Sequence, residues 1–226
     1  MDNRFSRTAL MFGEDLISKF KNTKIAVFGI GGVGSYVVEA LARCGIGHFL
    51  LVDKDVVDVT NINRQIIALS STIGRPKTEV AKERILDINP NATVEIKTVF
   101  YNSETADTIN FSEYDYIIDA IDTVTSKLLM IEQAKKSDIP IISCMGTGGK
   151  KNPSLLEVTD IKKTNTCPLA KVMRKELKDR GIDSLKVVYS PEKAVKADGI
   201  IPSNSFVPSS AGLLIASEVI NDLSKI

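Results

Sequence analysis

Residues 24–34 read KIAVFGIGGVG, a short apolar run, Ile25-Ala26-Val27-Phe28, that empties into Gly29, Gly31, Gly32 and Gly34. An apolar run of this length bounded by glycine fits a strand buried on both faces, and the apolar-rich stretch 33–44 that follows suits a helix. Glycines at such a strand-to-helix turn let the backbone bend tightly and approach phosphate, while the helix N-terminus offers unpaired N–H groups and positive potential. Residues 48–53 (HFLLVD) form a second strand candidate and leave Asp53 at its end, where an acid can accept the hydroxyls of a ribose. By itself this pattern says nucleotide, without saying which.

Outward from that core the rhythm continues as strand, helix, strand. Residues 93–100 (TVEIKTVF), 116–119 (YIID) and 139–144 (IPIISC) complete a five-strand parallel set, and 77–88 and 125–136 carry helical periodicity. Alternation of this kind predicts an α/β chain: a Rossmann-like, doubly wound, mostly parallel sheet with helices on both faces, its ligands at the carboxyl ends of the strands. After Gly149 the pattern loosens. Residues 155–159 and 186–189 read as added strands, 190–205 as a surface loop and 209–223 as a long apolar helix. No linker or internal repeat interrupts the chain, so residues 1–226 are expected to form one domain, with 1–149 as nucleotide-binding core and 150–226 as its C-terminal extension.

Composition sets the outer bounds. The chain has 226 residues, 43% hydrophobic and 25% charged, with a net charge of +1. That near-balance gives no global pull toward nucleic acid or membrane, so any basic patch is local. No apolar run reaches the roughly 20 residues of a membrane span, and residues 1–12 lack the apolar region of a signal peptide. Cys44, Cys144 and Cys167 are scattered, with no C-x-x-C pair. This argues against disulfides and structural zinc and reads as a reduced, cytoplasmic protein.

A second constellation narrows the ligand. Asp53-Lys54-Asp55 is followed by Asn61-Ile62-Asn63-Arg64-Gln65 and then by Pro76-Lys77 at a helix start. A dinucleotide oxidoreductase has no use for an Arg and a Lys converging where a triphosphate would extend. An enzyme that expels pyrophosphate from ATP does, because charge grows on the leaving group.

The G-x-G-G-x-G turn, the D-x-D strand end, N-x-x-R-Q, the P-K helix start and Asp119-Ala-Ile-Asp122 together resemble the ubiquitin-activating-like adenylating enzymes, over about residues 4–149. The resemblance implies ATP and Mg²⁺ as cofactors. It implies that Gly29, Gly31, Gly32 and Gly34 cradle the nucleotide and that Asp53 holds its ribose. Asn61, Arg64 and Lys77 would contact phosphates, with Asp55 and Gln65 in the same nucleotide-contacting set, and Asp122 would coordinate Mg²⁺. Residues 4–7 (RFSR) resemble the family segment whose second Arg reaches a partner subunit's ATP, which implies a homodimer with Arg7 acting in trans. Arg64, Lys77, Asp122 and Arg7 are thus the implied catalytic set.

Within that superfamily, residues 4–13, 61–65, 117–126, 146–149, 159–164, 168–170 and 211–223 resemble the tRNA threonylcarbamoyladenosine dehydratase branch, and Thr123 stands where sulfur-carrier enzymes carry Asn. This branch implies a tRNA substrate whose threonylcarbamoyl carboxylate is adenylated and then closes a ring as AMP leaves. An internal nucleophile held beside the carbonyl needs no enzyme thiol. Adenylation of a ubiquitin-like sulfur-carrier protein, a noncatalytic nucleotide-binding scaffold and an NAD-dependent oxidoreductase are the rival functions, and sulfur-transfer proteins stay open as partners.

Two further readings concern side chains outside the motifs. Neither Cys144 nor Cys167 has a histidine nearby in sequence, and His48 opens a strand on the side away from the ligand edge, so all three read as structural. Residues 169–180 (LAKVMRKELKDR) read as an amphipathic helix with Leu169, Val172, Met173 and Leu177 on the apolar side. Lys171, Arg174, Lys175 and Lys178 gather on one exposed face, with Lys150-Lys151 and Lys162-Lys163 extending it toward an RNA surface.

Overall fold

The computed structural model describes every residue except Met1, Asp2, Lys196, Asp198, Ile200 and Ile226. The first two residues of the leader reading, the last residue of the chain and three positions of the 190–205 loop therefore lie outside the described residues. Strands β1 (Lys24–Phe28), β2 (His48–Val52), β3 (Thr93–Lys97), β4 (Tyr116–Asp119), β5 (Ile141–Cys144), β6 (Glu157–Asp160) and β7 (Lys186–Tyr189) form one sheet in the order β3-β2-β1-β4-β5-β7-β6. All neighbours run parallel except β6 and β7. The parallel set is thus one strand larger than the sequence suggested, because β7 aligns with β5 through Ile142 and Lys186.

Among the described residues seven α-helices cover the sheet: α1 (Ser6–Phe12), α2 (Glu14–Asn22), α3 (Gly34–Arg43), α4 (Lys77–Ile88), α5 (Val124–Lys136), α6 (Pro168–Asp179) and α7 (Val207–Ser224). None is long and apolar enough to cross a membrane among the described residues. Alternate residues of each central strand feed different cores, as pleating demands. Ile25, Val27, Phe49, Leu51 and Ile118 pack with α2, α3, α4 and α7, whereas Ala26, Phe28, Leu50, Val52 and Ile117 pack with α5 and α6. Burial on both faces explains why these strands read as continuous apolar runs.

The register brings the strand ends level. Phe28 pairs with Val52 on one side and Asp119 on the other, and Val52 pairs with Lys97. Gly29, Asp53 and Ala120 consequently open on one edge. The chain leaves β1 toward β2 on one side and later returns to β4 on the other, so the sheet's topological switch point lies between β1 and β4, beneath the glycine turn.

Candidate functional site

The glycine turn is built by close approach. Gly29 has φ +88°, and a Cβ there would lie 2.7 Å from the Ala120 carbonyl oxygen. At Gly34, which opens α3, a Cβ would lie 1.7 Å from the Gly29 carbonyl oxygen, so side chains at both positions are excluded by backbone. Gly34 therefore packs the helix onto the strand end from below and does not line the cavity above it; Gly29, Gly31 and Gly32 do.

Asp53 ties that turn to β2. Its carboxylate accepts the Ile30 N–H at 2.6 Å and the Asp55 N–H at 2.8 Å. Burial raises its carboxyl above the ordinary carboxylate value, outweighing the opposing pull of Lys77 and of those two N–H donors. Lys77, at the first turn of α4 and almost fully buried, donates to Asp55 at 2.9 Å. Asn61 sits on a short 3₁₀ turn and accepts the Asp58 N–H at 3.2 Å. Arg64 follows one turn later, its guanidinium fixed by the Thr60 carbonyl at 2.8 Å and Asn63 Oδ1 at 2.9 Å.

Asp53, Asp55, Asn61, Arg64, Gln65, Lys77 and Asp122 join Gly29, Gly31 and Gly32 around one cavity of about 1080 Å³. Small-ligand sites run to roughly 300–1,000 Å³, so there is room here for a nucleotide and part of a second reactant. Two buried polar atoms on its wall, Gln65 Oε1 and Ser126 Oγ, have no hydrogen-bond partner among the described residues. Buried acceptors and hydroxyls are rarely left unmade, so both point to a polar ligand. Ser126, near the N-terminus of α5, escaped the sequence reading, although a helix start directly after a strand end is the place to look for phosphate ligands. Asp122 is exposed at the cavity wall with Thr123 3.4 Å from its Oδ1. No group of three or more His, Cys, Asp or Glu side chains is placed to hold a metal among the described residues. A hard cation at Asp122 would draw its other oxygens from phosphate and water, which suits Mg²⁺.

Beneath the cavity lies a polar network of which the sequence motifs contain only Asp119. Lys127 Nζ, fully buried, donates to Asp119 Oδ2 at 2.9 Å, to the Cys144 carbonyl at 2.7 Å and to Ser143 Oγ at 3.3 Å. Ser143 in turn donates to Asp119, whose second oxygen accepts the Ile121 N–H. One ammonium thereby locks α5 and the ends of β4 and β5, and Asp119 steers the turn that carries Asp122.

Arg7 lies elsewhere. It is exposed on α1, whose preceding Phe5 packs on Gly45, while Gly47 donates to the Phe20 carbonyl at 2.9 Å. Both glycines precede β2, so this end of the chain is anchored at the amino edge of the sheet, opposite its own cavity. Cys144 and Cys167 line the cavity but are buried, and burial pushes the Cys144 thiol up to about 12. His48 opens β2 on the amino edge, as expected.

A doubly wound sheet with a glycine turn at its switch point, and an acid, an Arg and a Lys facing the same cavity, defines a nucleotide-binding α/β protein. Residues 5–226 match the model of the ThiF family, and the chain belongs to that family. It is similar to the tRNA threonylcarbamoyladenosine dehydratase of Bacillus subtilis (43% identical, covering 100% of this chain and 96% of that protein). The Escherichia coli enzyme of the same name is 39% identical over 94% of this chain and 78% of its own length. The crystal structure of E. coli tRNA N6-threonylcarbamoyladenosine dehydratase in complex with ATP superposes with a TM-score of 0.93 at 37% identity, covering 99% of this chain and 94% of that one.

Proposed function

We propose that this chain adenylates the carboxylate of a threonylcarbamoyl group on a tRNA adenosine and then cyclises it. The carboxylate oxygen attacks the α-phosphorus of ATP and pyrophosphate leaves. A nucleophile within the same group then attacks the acyl carbon, AMP leaves and the ring closes, with net loss of one water. The observation that carries this reading is the convergence of Arg64, Lys77 and Asp122 with Asp53 and the glycine turn on one cavity. Its support from relatives is the ATP complex of the E. coli enzyme and the shared name of the B. subtilis one.

The residues divide the work. Asp53 accepts ribose hydroxyls, Gln65 and Ser126 take up polar atoms of the bound nucleotide, and the N–H groups at the start of α3 face phosphate. Arg64 and Lys77 stabilise the charge that builds on pyrophosphate; Asn61 contacts phosphate beside them, and Asp55 holds the Lys77 ammonium in place. Mg²⁺, held by Asp122, would neutralise phosphate charge during transfer. Arg7 completes the neighbouring subunit's site in a homodimer; the anchorage of α1 away from its own cavity supports this, as do Leu10 and Met11, which stand exposed on the same helix.

Exchange of labelled pyrophosphate into ATP in the presence of the modified tRNA tests the first step. Arg64→Ala and Lys77→Ala are expected to lower the exchange rate by tenfold or more with a smaller change in ATP affinity. Loss of affinity alone, with the rate at saturation intact, would contradict their assigned role.

A further inference from the structure

The strand-end cavity continues onto α6: Cys167, Pro168 and Leu169, at the helix start, line it. One turn further along the same helix a second cavity opens, about 580 Å³, between α6 and residues 161–162 and 182–183. Its floor is apolar, with Ile161, Leu177 and Ile182, and its rim carries Lys162, Lys171, Arg174, Lys175 and Lys178 against a single carboxylate, Asp183.

The five cations are not equivalent. Arg174 donates to the Thr164 carbonyl at 2.9 Å and to the Thr164 hydroxyl, so it braces the groove wall. Lys162 pairs with Asp183 at 3.2 Å. Lys171, Lys175 and Lys178 are exposed and have no ion pair among the described residues. Glu176, the acid that sequence alone leaves near the stripe, is held by Arg180, which also reaches Glu132 of α5, and it does not line the groove. The sequence-based surface needs two corrections. Val172 is exposed, because the buried side of α6 is Ala170, Met173 and Leu177. Lys150 is buried and donates to the Ser190 and Glu192 carbonyls, so it adds nothing to this face.

We infer that this groove is a docking track for RNA phosphates flanking the nucleoside in the strand-end cavity. The inference rests on the tRNA reading above. Successive free ammonium groups stand roughly one helical turn apart, about 5 Å, which suits the repeating charge of a polyanion. Lys178 lies about 15 Å along α6 from Pro168, so a helix that touches the reaction cavity at one end carries the cations at the other. That rigid spacing would present one nucleoside to the cavity while the adjoining backbone follows α6.

The test is the triple substitution Lys171→Glu/Lys175→Glu/Lys178→Glu, which spares Arg174 and its bracing bonds. Binding of the modified tRNA is measured without ATP across a salt series, with Lys21→Glu/Lys24→Glu, at the amino edge of the sheet, as charge control. The triple variant should bind tRNA at least tenfold more weakly near 0.1 M salt, with the slope of log affinity against log salt reduced by roughly two to three. Its kcat at saturating tRNA and its KM for ATP should stay within about twofold of the parent. Unchanged tRNA affinity and slope in a variant with native unfolding behaviour would overturn the proposal, as would an equal loss in the control. Competition by polyglutamate as effective as competition by tRNA would also overturn it, in favour of an acidic protein partner. Because binding is read without ATP, failure here is separable from failure of adenylation, which the parent protein's turnover reports.

Discussion

Replacing Lys127 with Met removes the ammonium from the buried network under the cavity while keeping nearly the same side-chain length. Lys127 and Asp119 are both fully buried, and Lys127 bridges Asp119 and the Cys144 carbonyl. In the variant Asp119 keeps only the Ser143 hydroxyl and the Ile121 N–H, leaving an uncompensated buried carboxylate. Removing one partner of such a pair costs about 3–5 kcal/mol. For a domain of this size, roughly 2–4 °C are lost per kcal/mol, so the midpoint should fall by roughly 6–20 °C. Asp119→Asn/Lys127→Met removes both charges, its amide oxygen accepting the Ile121 N–H and its NH2 donating to the Ser143 hydroxyl, and should recover at least half of the loss. Urea unfolding of the parent, the two single variants and the double variant gives the coupling energy directly. A loss below about 1 kcal/mol for Lys127→Met would refute the reasoning, and so would a double variant as unstable as the two single losses added together.

Three other expectations concern the cavity. In the proposed role the Asp53 carboxylate accepts ribose hydroxyls better ionised than protonated, and burial raises its folded-state value, so ATP affinity is expected to fall as pH drops while ordinary carboxylates are still charged. Asp53→Asn should bind ATP more weakly at neutral pH and lose that acid limb, which titration calorimetry between pH 4 and 8 would read. Cys144, with its thiol raised to about 12 and its side chain buried, should resist iodoacetamide at pH 8 in the native protein and react in urea, as followed by peptide mass spectrometry. Mixing an Arg7→Ala protein with an Asp122→Ala protein should restore part of the activity through one intact hybrid site; absence of rescue under demonstrated subunit exchange would place Arg7 in its own chain's function.

What the sequence revealed was local. The apolar run before Gly29, the acid ending β2 and the proline before Lys77 each declare themselves within a few residues, and the fold brings them to one strand edge. The ion network did not declare itself, since Asp119 and Ser143 are 24 residues apart and meet only through the β4–β5 register. The seventh strand was legible, but its parallel partner was not, because register follows from packing. Helices α1 and α2 were missed as elements. For α2 a signal existed in Glu14 and Asp15 at its first turn and Lys19 and Lys21 at its last, matching the helix dipole. Val172 was misassigned because a stripe read from sequence fixes the period of a helix better than the width of its buried side.

The central claim, ATP-driven cyclisation of a carboxylate on tRNA, is tested most directly by incubating the protein with ATP, Mg²⁺ and tRNA carrying N6-threonylcarbamoyladenosine, followed by mass spectrometry of the nucleosides. A modified nucleoside lighter by one water is expected, formed together with one AMP and one pyrophosphate per ring closed. An unchanged nucleoside from a folded protein that binds both ATP and the tRNA, or ADP and phosphate in place of AMP and pyrophosphate, would contradict it.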